Sequence, residues 1–138
     1  MKRNNALGIG VAATLASTFL WHGPGGAGER LAGSIDRTIR ATLDHYEMPS
    51  IAARTQRDPL TRRLMRDGPA DAFQRGEIKR IGLEVPGVAS AHWAGPRNPP
   101  RVLPLLAEVM LMALASFAIG LVLAYIAALR RRAREAFA

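Results

Sequence analysis

Arginine is the side chain on which this sequence concentrates its chemistry. Arg54, Arg57, Arg62, Arg63 and Arg66 fall within one short stretch. A guanidinium carries a planar fork of donors that matches phosphate and carboxylate. Arg57, Arg62, Arg63 and Arg66 are therefore candidate contacts for anionic lipid headgroups or for an acidic patch on a partner protein. The same four residues would also serve as ordinary surface ion pairs. The three histidines, His22, His45 and His92, are scattered without ligand spacing. His45 has Asp44 and Glu47 beside it, but that grouping reads better as a solvated helix end than as a metal site. There is no cysteine, which removes disulfides, thiolate ligands and thiol nucleophiles. Gly23-Pro24-Gly25-Gly26 lacks the lysine of a phosphate-binding loop and follows no strand. No Ser-His-Asp or paired-carboxylate pattern stands out. The expectation is a protein without enzyme activity, resident metal or cofactor.

The placement of charge narrows the partners. The net charge is +8 over 138 residues. Lys2 and Arg3 open the chain, and Arg130, Arg131, Arg132 and Arg134 nearly close it. Between His22 and Arg101 there are 13 Arg and Lys against 9 acids, so the middle is only mildly basic. A nucleic-acid reader concentrates its charge on the folded domain. Here much of the surplus flanks apolar segments, where basic residues fix membrane orientation. Nucleic acid is not an expected partner.

Two apolar blocks enclose the polar middle. The second, residues 102–129, runs about 28 residues, roughly 42 Å as a helix. A bilayer core needs only about 20. Pro104 suits its first turn, and Glu108 reads as a side chain reaching the headgroups. The first block lies within residues 1–22. It is short for a full span, and Trp21 and His22 end it like an interface anchor. It reads as an uncleaved signal anchor. Basic residues at both ends then keep both termini in the cytoplasm and export the middle. Gly8, Ala12 and Ala16 form a small-residue stripe on one block, and Ser116 and Gly120 form one on the other. Such stripes let helix backbones approach closely in lipid, so these five residues are the candidate helix-packing positions.

The middle must position the arginines. After a Gly-rich linker at 23–28, residues 29–46 form an amphipathic helix. Leu31, Ile35, Ile39 and Leu43 recur every four residues, with Tyr46 next. Two strands follow, at 50–56 and 60–66, joined by Arg57-Asp58-Pro59. Asp67-Gly68-Pro69 breaks the chain before a second helix at 71–84. Asp71 caps that helix, and Gln74 completes a capping box. Phe73, Ile78 and Ile81 are its expected apolar face. Val85-Pro86-Gly87 stops it, and a last strand at 88–93 puts Ala89, Ala91 and Trp93 on one face. Trp93 reads as a cap on the core. A Pro-rich linker at 94–101 leads to the second apolar block, and 130–138 is a basic tail. The expected fold is α+β: a small αββαβ domain over 29–93 between two transmembrane helices.

That order, with Leu64-Met65-Arg66-Asp67-Gly68-Pro69-Ala70, then Phe73-Gln74-Arg75-Gly76-Glu77-Ile78, then Ile81 and Val85-Pro86-Gly87-Val88, resembles a BON domain. Gly68 stands where the family's strand ends in glycine, and Gly87-Val88 stands where a Gly-Val pair opens its last strand. Arg66 and Arg62-Arg63 depart from the apolar residues usual in that strand. The resemblance implies a non-catalytic module of the bacterial cell envelope that binds phospholipid surfaces or envelope proteins. With two spans it implies an inner-membrane protein whose domain lies in the periplasm. The alternative is an accessory subunit of a larger inner-membrane, energy-transducing complex, bound through its helices. Membrane lipid, a membrane-protein partner or a second copy of the chain are the expected partners.

Overall fold

The computed structural model describes residues 3–95 and 102–136. It combines four helices and a three-stranded sheet: α1 (Arg3–His22), α2 (Ala27–His45), β1 (Ala52–Arg57), β2 (Leu60–Asp67), α3 (Ala72–Glu84), β3 (Ser90–Trp93) and α4 (Leu105–Ala136). Most of the expected 94–101 linker, residues 96–101, lies outside the described residues.

The sheet order is β1-β2-β3. β1 and β2 pair antiparallel, with Thr55 opposite Leu64. β2 and β3 pair parallel, with Leu64 opposite Ala91 and Arg66 opposite Trp93. A parallel pair needs a crossover, and α3 supplies it. Residues on one strand face alternate, so Leu64, Ala91 and Trp93 point to the same side. The helices cover that side. Ile35, Ile39 and Leu43 from α2 and Ile78, Ile81 and Val85 from the end of the crossover close one core on Leu64 and Ala91, with Leu31, Val88 and Trp93 at its margin.

Local chemistry sets the element ends. Asp71 Oδ1 accepts from the Gln74 amide at 2.8 Å, and Gln74 Oε1 accepts from the Asp71 amide at 3.1 Å, which completes the expected capping box. Gly68 follows β2 with φ +129°, and a Cβ there would lie 2.5 Å from the Ser50 carbonyl oxygen. Only glycine combines that dihedral with that approach. Gly87 turns the chain into β3 with φ +95°, and a Cβ there would press on Ile35.

Two apolar residues depart from the expected faces. Phe73 is 78% exposed. At 100° per residue it stands about 140° away from Ile78 around the helix, so both cannot face the sheet. Tyr46, the C-cap of α2, is also exposed, because the backbone turns away at Glu47 in the left-handed region.

α4 is the one described helix long and apolar enough on its own to cross a bilayer. Its 32 residues extend about 48 Å. α1 is shorter, with 20 residues, and carries two asparagines and several hydroxyls among its apolar residues. α1 runs into the domain and α4 runs out of it. Gly10 and Phe117 lie equally far along the chain from His22 and Leu105, so the two helices run antiparallel and in step. A Cβ on Gly10 would lie 2.8 Å from the Phe117 ring. Glycine is what admits that aromatic edge.

Candidate functional site at the junction of domain and helices

The domain is joined to the apolar helices by specific contacts as well as by chain connectivity. α1 ends in Trp21 and His22, and in the turn that follows Gly23 and Gly25 donate to the Phe19 and Leu20 carbonyls and Gly26 to the Gly23 carbonyl. α2 starts at once. Gly28, in its first turn, is buried, and a Cβ there would meet Leu60 at 3.0 Å, the His22 carbonyl oxygen at 3.2 Å and Leu105 at 3.5 Å. The end of α1, the start of β2 and the start of α4 therefore converge on a position where even a Cβ would be tightly pressed. Leu105, the first residue of α4, is buried in this contact.

Charge locks the same junction. Arg62 Nε donates to Glu108 Oε2 at 2.8 Å, which ties β2 to the first turn of α4. The expectation from sequence places Glu108 among the headgroups. It turns inward because α4 begins directly under the sheet, with a cation within reach. Beside it, Arg57 at the end of β1 bridges two α2 carboxylates, Glu29 and Asp36. Asp36 Oδ1 also accepts from the Thr55 amide at 2.6 Å and the Thr55 hydroxyl at 2.7 Å. Burial alone would raise the Asp36 carboxyl. The two Thr55 bonds and Arg57 outweigh it and hold the group below the usual carboxylate range. The Arg57 guanidinium is correspondingly raised, by its bond to Asp36 and then by the charge of Glu29.

Arg66 and Arg63 turn into the fold, whereas Arg54 on β1 is exposed. Arg66 shares the core face of β2 with Leu64 and is 3% exposed. It lies over the Trp93 ring at 5.4 Å, with Arg75 of α3 at 5.1 Å from the same ring. Burial lowers the Arg66 guanidinium from its ordinary value, yet arginine remains charged in proteins. Arg63 faces the other side of the sheet, is equally buried and donates to Gln56 at 3.3 Å. His92 shares that face. Burial first, then the charges of Arg63, Arg66 and Lys79, push it below its usual range. Arg57, Arg62, Arg63 and Arg66 thus do not form one open basic patch. Two are half-exposed and ion-paired at the junction, and two are buried on opposite faces of β2.

The small-residue stripes also lie apart. Gly8, Ala12 and Ala16 are exposed, as are Ser116 and Gly120. No atom comes within 4 Å of a Cβ placed on Gly8 or Gly120. The α1–α4 contact uses Gly10 and Phe117 instead, and the stripes face outward from the pair. Sequence reasoning missed Gly10, Gly28, Glu29 and Asp36. Of these, only Asp36 left a trace: it directly follows a core isoleucine, at the edge of the apolar face.

A cavity of about 350 Å³ lies within the junction. Pro59, Leu60, Pro104, Leu105 and Leu106 give it an apolar lining, and His22 and Glu29 are its polar residues. Among the described residues, no group of His, Asp and Glu is arranged to hold a metal ion. No family model, curated protein or solved structure matches this chain.

Proposed function

We propose that the chain is a non-enzymatic, two-span protein of the bacterial inner membrane that holds a BON-like domain at the periplasmic surface, where it binds envelope lipid or a partner protein. The Arg62–Glu108 pair carries this reading, because it fixes the sheet to the first turn of the apolar helix. A domain that merely hung on a flexible tether would have no use for that contact. Three further features support it. α4 is long enough to cross the bilayer and continue into a basic end. α1 packs in step beside it. The αββαβ order puts Gly68 and Gly87 at positions where glycine is sterically required.

A second reading draws on the arginines and the stripes. Arg57, Arg62, Arg63 and Arg66 are engaged within the fold, while the stripes on α1 and α4 face outward. That division favours an accessory subunit bound through its helices to a larger complex. Extraction of the membrane fraction in a mild detergent distinguishes the two. A free protomer or homodimer is the result expected of the envelope module. A stoichiometric set of companion proteins would move the assignment to the subunit. Recovery of the chain in the soluble fraction would overturn both.

A further inference from the structure

The junction cavity has the features of a ligand site. Its volume lies at the lower end of the range for small-molecule sites. Four separate segments build it: the end of α1, the start of α2, the β1–β2 turn and the start of α4. Its lining is apolar, and its polar residues are not equivalent. Glu29 is engaged by Arg57. His22 Nδ1 is buried and finds no hydrogen-bond partner among the described residues. A buried polar atom of that kind is costly unless a ligand or solvent group satisfies it.

Position decides the class of ligand. The cavity lies where α1 ends and α4 begins, the level at which both helices leave the bilayer if they span it. Trp21 marks the same level. It is 64% exposed, and the Arg30 guanidinium lies over its ring at 5.7 Å. An exposed tryptophan with a cation above it is the arrangement favoured among headgroups. Arg30 donates to the Gly25 carbonyl oxygen at 2.8 Å, and its fork carries further donors suited to phosphate. An apolar chamber at that level, lined by His22 and Glu29, with Arg30 next to Glu29 in the chain and over Trp21, matches a molecule that is apolar, then ester, then phosphate along its length.

We propose that the junction cavity binds one membrane phospholipid, with the ester-proximal part of an acyl chain held among Leu60, Leu105 and Leu106, an ester oxygen near His22 and the phosphate beside Arg30. The proposal rests on the membrane placement given above. The bound lipid wedges the junction and fixes the angle between the domain and the helices. The site is separate from any contact between the domain and the wider lipid surface, because it lies within the protein between four segments.

The test uses the full chain, delipidated in detergent, with dioleoyl phosphatidylglycerol added as the probe and bound lipid counted by native mass spectrometry. One lipid retained per chain is the expected result. Leu106→Trp fills the chamber and should lower retention about tenfold while leaving the circular dichroism spectrum unchanged. Arg30→Gln, at an exposed position, should weaken retention without touching the chamber. Glycerol 3-phosphate offers the same phosphate without a chain and should not displace the lipid. Displacement by it would mean a plain phosphate site and overturn the acyl-chain assignment. Equal retention by wild type and both variants, or no retained lipid, would also overturn it. Recovery of the chain outside the membrane would instead remove the placement on which the proposal stands, a separate result read by fractionation before delipidation.

Discussion

Replacing Ile39 with alanine should destabilise the domain by about 2–5 kcal/mol. Ile39 is fully buried and sits between Ile35 and Leu43 on the face of α2 that meets Leu64 and Ile78. Truncation removes three buried carbons and leaves a void that a helix held at its first turn and its middle cannot close. Its first turn is trapped at Gly28 and its middle is tied to β1 through Asp36. A domain of this size has little stability to spare, so most molecules would unfold well below the wild-type midpoint. Phe73→Ala is the matched control. That ring is large and apolar but exposed, and its loss should change stability by no more than about 0.5 kcal/mol. Urea unfolding of the detergent-solubilised chain, followed by Trp93 fluorescence in a Trp21→Phe background, measures both. An Ile39→Ala effect below half a kcal/mol would show that the assigned face of α2 does not hold the core.

The second large effect belongs to Asp36. Its carboxylate accepts from the Thr55 amide, the Thr55 hydroxyl and Arg57. Asp36→Ala leaves the Thr55 amide and hydroxyl without their acceptor and Arg57 with Glu29 alone, and should cost about 1.5–3 kcal/mol at neutral pH. The pH dependence has a definite sign. The folded carboxyl titrates below its unfolded value, which is about 3.9. Its contribution is therefore fully present above that unfolded value and is lost as pH falls through the folded one. The gap between wild type and Asp36→Ala should be constant from neutral pH down to about pH 5 and close below pH 4. A gap that persisted unchanged to the lowest pH at which the domain is folded would mean that the charge on Asp36 contributes nothing.

The sequence made the order of elements and most of the core legible, because both depend on short-range patterns. The four-residue recurrence from Leu31 to Leu43 specified α2, and the Asp71–Gln74 pair specified the start of α3. Strand alternation placed Ala91 and Trp93 on one face. The arginines were less legible. Arg62 and Arg66 have the same strand parity as Leu64, which turns both toward the helix side rather than into solvent. Their composition suggested a surface cluster, and their parity opposed it. The acids that engage these cations are remote in sequence. Glu29 and Arg57 are 28 residues apart, Asp36 and Arg57 are 21 apart, and Arg62 and Glu108 are 46 apart. No local period reports such a pair; only the packed fold brings the partners together. The same holds for Gly10 and Gly28, whose small size matters only because Phe117, Leu60 and Leu105 arrive from elsewhere in the chain.

The central claim is that the domain lies outside the cytoplasm, docked on helices whose far ends lie inside it. The chain contains no cysteine, so a single introduced thiol reports one position without background. Ser50 lies on the domain, at the end away from α4, and Ala133 lies in the basic end of α4; both are exposed. Spheroplasts expressing Ser50→Cys or Ala133→Cys are treated with a membrane-impermeant maleimide before and after lysis. The account predicts that Ser50→Cys is labelled in intact spheroplasts and that Ala133→Cys is labelled only after lysis. Labelling of Ala133→Cys in intact spheroplasts, or protection of Ser50→Cys until lysis, would contradict it.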